Sequence, residues 1–496
     1  MTKFAGAQTV SRSAPGPLGV DGPTLTHEGA PAYALDAKSE LFTLAVTNFV
    51  EPTYYERDEA RQARFVQAIH RCVSEDAGWV ARLAAFARDK MQMRSASVVI
   101  ACEYVKAGGP NGRAVINAVC VRADEPAEVI GYWMSRYGRQ IPKAVKRGVS
   151  DAARRLYTER SVLRYDGQRS SVRMGDVLEL AHVKPTDEAQ SALFKYLIDS
   201  RHKREDAKGP GGIAEVEAWV AAGAAVDALP RLMSWERLST YTKMDAPAWE
   251  AVIPQMGAMA LVRNLRNFDE AGISDAAVDL VVSRLQDEDE IRKSRQFPYR
   301  FYTAYREVKT LRWGPALERA IKHATKNIPA IPGSTLILTD VSGSMSGSYG
   351  SRATVAPWEV AGVFAGAAAQ ACEKARVVAF ATQAAEMEPV GDILRFMPLL
   401  AQAMNRLGGG TNIYQALAAA YQGEDRVIIF TDMQAHDAWR SEFERIPNVY
   451  AFDLAGYGRT GLDLSKPGRY QLGGFSDACF PMFELLERGR RADWPF

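Results

Sequence analysis

From about Tyr33 to Asn327 apolar residues recur at every third and fourth position, as in ALDAKSELFTLAVTNF, EARQARFVQAIHRCV and GWVARLAAFARDKM. That period gives each segment one apolar face and predicts amphipathic helices of roughly 12 to 18 residues. Gly, Pro and Asn punctuate them in KAGGPNGR, RQIPKAV, HVKPTDE, AKGPGGI and DALPRL. Many helices in succession, with no strand between them, suggest stacked helix pairs of the HEAT or armadillo kind. The period changes at NIPAIPGSTLILTD, where a Pro/Gly-rich linker meets the short apolar run Thr335–Leu338. Helical WEVAGVFAGAAAQACEKA and TNIYQALAAAYQ then alternate with strand-like RVVAFAT, DRVIIFTDM and NVYAFDLAG. This alternation predicts a doubly wound α/β domain whose ligand site lies at the carboxyl ends of the strands. The fold class expected is multidomain, α plus α/β. A loose tail covers residues 1–30, a helical-repeat domain 31–330 and a doubly wound, Rossmann-like domain 331–496.

Composition narrows the classes. The 496 residues are 47% hydrophobic, enough for two or three cores. With 61 Lys+Arg against 59 Asp+Glu the chain is neither a polycation nor a polyanion. Residues 1–330 hold 47 basic and 41 acidic side chains, leaving 14 and 18 for the rest, so the basic excess lies in the helical part. No apolar run is long enough to span a membrane, and the N-terminus lacks a hydrophobic signal core. Five scattered cysteines without a CxxC pair read as reduced thiols of a cytoplasmic protein.

Candidate chemistry concentrates at the strand ends. In DVSGSMS, Asp340, Ser342 and Ser344 alternate, so an extended loop can turn one carboxylate and two hydroxyls to one point. GGGTNIYQAL presents Thr411 before a helix, and VIIFTDMQ places Asp432 at a strand end. Two carboxylates and three hydroxyls are hard oxygen donors suited to Mg²⁺, with Mn²⁺ and Ca²⁺ as alternatives. The five residues resemble the metal-ion-dependent adhesion site of von Willebrand factor A domains. Rival readings lack their residues: there is no GxxxxGK[ST], no GxSxG around Ser342, and no Asp-x-Asp pair because position 342 is Ser. His436 reads as a solvated loop histidine. The site is expected to bind rather than catalyse, and no catalytic residues are assigned.

The densest basic stretch runs from Arg136 to Arg173, with 11 Lys/Arg against Asp151, Glu159 and Asp166. Tyrosines lie among the cations, so phosphate contacts and base stacking are both available, although a solvated helix face accounts for the same pattern. Lys143, Lys146 and Arg147 are candidate RNA contacts on charge density. IRKSRQFPYRFYTAYREVK, from Ile291 to Lys309, repeats the mix of Arg and aromatics, and its rings equally suit a core.

Three segments then carry a further resemblance. GDVLELAHVKPTDEAQSALFKYLI, MDAPAWEAVIPQMGAMALVRNLRNF and LQDEDEIRKSRQFPYRFYTAYREV are similar, in that order, to segments of the TROVE domain of the Ro autoantigen family. An A domain follows there too. The resemblance implies a ring of helical repeats that takes single-stranded 3′ ends of misfolded RNA in its central hole. It also implies an outer basic surface for small, stem-loop Y-like RNAs. By matching segment it places His182 and Lys184 at that surface, with Arg164, Arg169 and Arg173 just before it. The family's SH is AH here, which removes one hydroxyl. The expected function is a non-catalytic RNA-binding ring acting in noncoding-RNA quality control, or an adaptor to an exoribonuclease, with no DNA or membrane partner. The alternative is a protein-interaction scaffold whose metal captures a partner's carboxylate. A metal-dependent hydrolase is a third reading, and it lacks a candidate base.

Overall fold

The structure, a computed structural model, describes residues 24–25, 31–34, 37–46, 58–167, 170–205, 207–296, 298–347, 355–388, 390–438, 441–455, 459–460, 462, 468–473, 483 and 496. They divide into two compact units, one containing Ile69–Val281 and the other Pro17–Ala68 with Val282–Phe496.

The first unit is helical. Its helices include Arg94–Lys106, Gly112–Val119, Glu125–Tyr137, Lys143–Leu156, Glu159–Tyr165, Met174–Ala181 and Glu188–Arg201. In Lys143–Leu156 the buried residues are Val145, Gly148, Val149, Ala152 and Ala153, which form one stripe at helical spacing. That stripe packs on Gly112–Val119 and on Met174–Ala181. Gly148 permits the close approach: a Cβ there would stand 2.6 Å from the Ile116 Cβ and 2.7 Å from the Arg113 carbonyl oxygen. Buried charges between helices are matched. Glu103 is fully buried and accepts from His70 Nε2 at 2.7 Å and from the hydroxyls of Tyr132 and Tyr137 at 2.6 and 2.7 Å. Arg136 Nε lies 3.2 Å away. Burial opposes ionisation of Glu103, yet the bonds from His70, Tyr132 and Tyr137 and the Arg136 charge outweigh it and hold the carboxyl below its ordinary range.

The second unit contains the strands. β1 (Thr24–Leu25), β2 (Pro31–Ala34) and β8 (Arg459–Thr460) form a small sheet. β3 (Ile331–Asp340), β4 (Cys372–Phe380), β5 (Ala384–Glu386), β6 (Arg426–Thr431), β7 (Asn448–Asp453) and β9 (Arg469–Gly473) form the main one, in the order β5-β4-β3-β6-β7-β9. All pairs are parallel except β4 with β5. Thr335 to Asp340 are buried without alternation, as in a strand covered on both faces. From β3 the chain passes through helix Pro357–Ala371 to β4 on one side, and later enters β6 on the other. The order therefore reverses at β3, and the crevice lies between the carboxyl ends of β3 and β6. This is the doubly wound topology expected from the alternation.

Helices Ala37–Val46, Pro298–Glu307 and Gly314–Thr325 belong to this same unit. Ala37–Val46 packs on β9. Glu359, buried at the first turn of Pro357–Ala371, accepts from Tyr302 at 3.0 Å, from Arg306, and from its own cap, the Ala356 amide, at 2.8 Å.

Candidate functional site

Asp340 ends β3 and Asp432 follows β6, so both carboxylates stand at the crevice. Asp340, Ser342, Thr411 and Asp432 are all buried. The Ser342 amide donates to Asp340 Oδ1 at 2.8 Å, and the Ser342 and Ser344 hydroxyl oxygens lie 3.3 Å apart. The Gly343 amide donates to the Gly409 carbonyl at 2.9 Å, which joins the serine loop to the glycine loop bearing Thr411. The Thr411 carbonyl in turn accepts from the His436 amide at 2.8 Å. After Asp432 the chain turns through Met433 at φ 63, a left-handed conformation uncommon for a non-glycine residue, and the Gln434 amide returns to Asp432 Oδ1 at 3.1 Å. The loops from the ends of β3 and β6 and the glycine loop thus bring the oxygen donors expected from the sequence to one end of the sheet.

The electrostatics favour a cation. Burial and the neighbouring Asp432 push the Asp340 carboxyl up to about 7, against the bonds from Ser342 and Thr431 that favour its charged form. The charge of Asp432 works against ionisation of Asp340, and a divalent ion would relieve that repulsion. Among the described residues no three His, Cys, Asp or Glu side chains converge as metal ligands. The donor set is therefore two carboxylates plus hydroxyls, which fits Mg²⁺ better than a nitrogen- and sulfur-seeking metal.

The basic stretch separates into cations that the fold consumes and cations that it leaves available. Arg113 pairs with Asp151 at 2.6 Å, and Arg155 donates to the Cys120 carbonyl at 2.7 Å. Arg173 pairs with Asp166 at 2.5 Å while capping helix Met174–Ala181, so its charge is already matched. Lys143, Lys146 and Arg147 stand together at the N-terminal end of Lys143–Leu156, with Lys143 and Arg147 exposed and Lys146 half-buried. None of the three has a carboxylate partner among the described residues. The helix end has no side-chain cap and no acidic residue in its first turn. Arg164 is exposed in the last turn of Glu159–Tyr165, and His182, at φ 52, ends helix Met174–Ala181 with Lys184 exposed beyond it. Arg169 lies outside the described residues.

Sequence reasoning missed Thr431, whose hydroxyl donates to Asp340 Oδ2 at 2.5 Å. The TD at the end of β6 carries the signal, because a hydroxyl beside a strand-end aspartate on a central strand can reach the neighbouring strand. Asp453, buried at the end of β7 and bonded to Gln471 Nε2 at 3.0 Å, adds a third strand-end carboxylate. Its AFDLAG context repeats the pattern of LILTD.

The TROVE-domain family model matches residues 221–313. The RNA-binding protein RO60 of Deinococcus radiodurans is 25% identical over 353 residues, covering 63% of this chain and 65% of that protein. Telomerase protein component 1 of Mus musculus is 39% identical over 85 residues, 17% of this chain and 3% of its own length. The matched stretches thus span less than two thirds of either relative. The crystal structure of the Deinococcus radiodurans RO (RSR) protein superposes with a TM-score of 0.64 at 19% identity, covering 92% of this chain and all of that one, which shows the fold. Residues 221–313 are thus similar to the TROVE domain, and the fold is that of the Deinococcus RO protein. Two of the three resembling segments lie inside 221–313, and in the first of them the signature residues are core: Trp249 packs edge-on to Phe268 at 5.1 Å, and Asn264, Leu261 and Leu265 are buried. The AHVKP segment lies outside the matched residues.

Proposed function

We propose that this protein is a non-catalytic RNA-binding protein whose helical unit takes small structured, Y-like RNA and single-stranded 3′ ends of misfolded RNA. The observation that carries the reading is the cluster of Lys143, Lys146 and Arg147. Three cations at a helix N-terminus work against the helix dipole, which favours anions there, and the end has no side-chain cap. A phosphate backbone would satisfy both the cations and the free amides. The Deinococcus relative, named an RNA-binding protein, supports this direction. The doubly wound unit holds Mg²⁺ through Asp340, Ser342, Ser344, Thr411 and Asp432 and offers it to a partner's carboxylate, with an exoribonuclease as one such partner. Cys72, Cys102 and Cys120 are buried and in no disulfide, which suits the cytoplasm. Gel shifts with a structured RNA bearing a free 3′ tail test the reading. Binding should weaken steeply with salt and with Lys143→Glu, Lys146→Glu and Arg147→Glu together. Binding unchanged by the triple variant would refute the assignment of this surface.

The scaffold reading is favoured by the oxygen-donor crevice alone. On that reading Asp340→Ala abolishes partner capture, and no nucleic acid travels with the purified protein.

A further inference from the structure

We propose that Arg122, Tyr165 and Arg164 form a stacking subsite for an unpaired RNA base, an inference that rests on the RNA-binding reading above. Tyr165 is the last residue of helix Glu159–Tyr165, and two guanidinium groups lie over its ring. Arg122 Cζ is 4.8 Å and Arg164 Cζ 5.3 Å from the ring centroid. The two cations differ in their surroundings. Arg122 comes from the turn before helix Glu125–Tyr137 and is pinned to Asp124 at 3.0 Å, and Asp124 is itself held by Arg94 at 2.7 Å. Arg164 is exposed and has no carboxylate partner among the described residues. The stack is therefore anchored at Arg122 and available at Arg164.

Planar guanidinium and aromatic groups are the surfaces on which splayed bases stack, and stacking tolerates any base because every base has a π-face. The neighbouring charges suit a polyanion. Arg160 is exposed one turn before Arg164, also without a carboxylate partner among the described residues. At this i,i+4 spacing the two like charges repel, and a shared anion removes that repulsion. The nearest acidic side chain in sequence, Asp166, is already neutralised by Arg173 and accepts from the Met174 amide at 2.9 Å, so it does not repel a phosphate. The base would rest on Arg164, and Arg160 would take the flanking phosphate. An isolated cation–π pair on a solvated face would account for one arginine over the ring, but not for a second, unmatched arginine one turn away.

The test uses the full chain and a single-stranded RNA 12-mer carrying 2-aminopurine, followed by anisotropy and by the quenching that stacking causes. Arg164→Lys keeps the charge and loses the plane, so it should weaken binding about tenfold and reduce the quench. Tyr165→Leu should do the same, whereas Tyr165→Phe should bind as the parent does. Arg160→Ala should lower the slope of log affinity against log salt by about 0.7 and leave the quench unchanged. If Arg164→Lys and Tyr165→Leu bind and quench like the parent, the subsite is refuted while RNA binding stands. If the parent fails to bind the oligonucleotide at low salt, the subsite and the RNA-binding reading fall together.

Discussion

Thr431 donates a 2.5 Å hydrogen bond to Oδ2 of Asp340, joining the ends of β6 and β3 across the crevice. The other carboxylate oxygen of Asp340 is held by the Ser342 amide. Both bonds favour the charged form of a carboxyl that burial and Asp432 push the other way. Replacing Thr431 with Val should raise that carboxyl further. Mg²⁺ affinity, followed by calorimetry, should fall roughly tenfold for the loss of one buried bond to a charged group.

The crevice should also make metal-free stability depend on pH. Asp340 holds its proton up to about 7 in the folded chain, above its ordinary 3.8. The folded state therefore binds more protons than the unfolded chain between those values. The stability this confers is present at low pH and is lost as pH rises through about 7. The metal-free melting temperature should drop between pH 5.5 and pH 8, and Mg²⁺ should restore it more at pH 8. Asp340→Asn should flatten the profile and abolish the Mg²⁺ effect.

Glu103 should behave in the opposite sense. Its carboxyl is held below the ordinary range, so the stability it supplies is present above that range and disappears as pH falls below it. Glu103→Ala strands His70 and Arg136 around a hole and should cost about 3–5 kcal/mol, read by denaturant unfolding. Glu103→Gln should cost less and remove that part of the acid dependence.

Arg173 and Lys143 should give different readouts despite lying in one basic stretch. Arg173→Ala leaves Asp166 without its partner and should lower the melting temperature, whereas Lys143→Ala should leave stability within about 0.5 kcal/mol and weaken RNA binding. Melting curves and gel shifts on the two variants check this.

Packing at Gly148 allows a further check. A methyl group there meets Ile116 and the Arg113 carbonyl, so Gly148→Ala should destabilise by about 1–3 kcal/mol despite the better helix propensity of Ala.

The fold class was legible because the two hydrophobic periods differ so sharply on either side of residue 331. The strand-end aspartates were legible for a related reason: a buried strand that ends in a carboxylate stands out against its apolar run. Partnership was harder to read. The stripe of Pro298–Glu307 shows that one face is covered but not that Glu359, more than fifty positions later, helps to cover it. Charge counting treated Arg173 and Lys143 alike, although Asp166 claims one of them, and only three-dimensional proximity distinguishes them. Likewise, Trp249 and Asn264, which help carry the resemblance, are buried in the core, so the resemblance located the fold more securely than the RNA contacts.

The clamp on Glu359 sets where this chain can be cut. A fragment beginning at residue 331 would keep the whole six-stranded sheet and every oxygen donor of the crevice. It would also lose Tyr302 and Arg306, leaving a buried carboxylate with only its capping amide. Such a fragment should expose that helix end. Work on the doubly wound sheet in isolation therefore needs a chain that keeps Tyr302 and Arg306 as well as helix Ala37–Val46, which packs on β9.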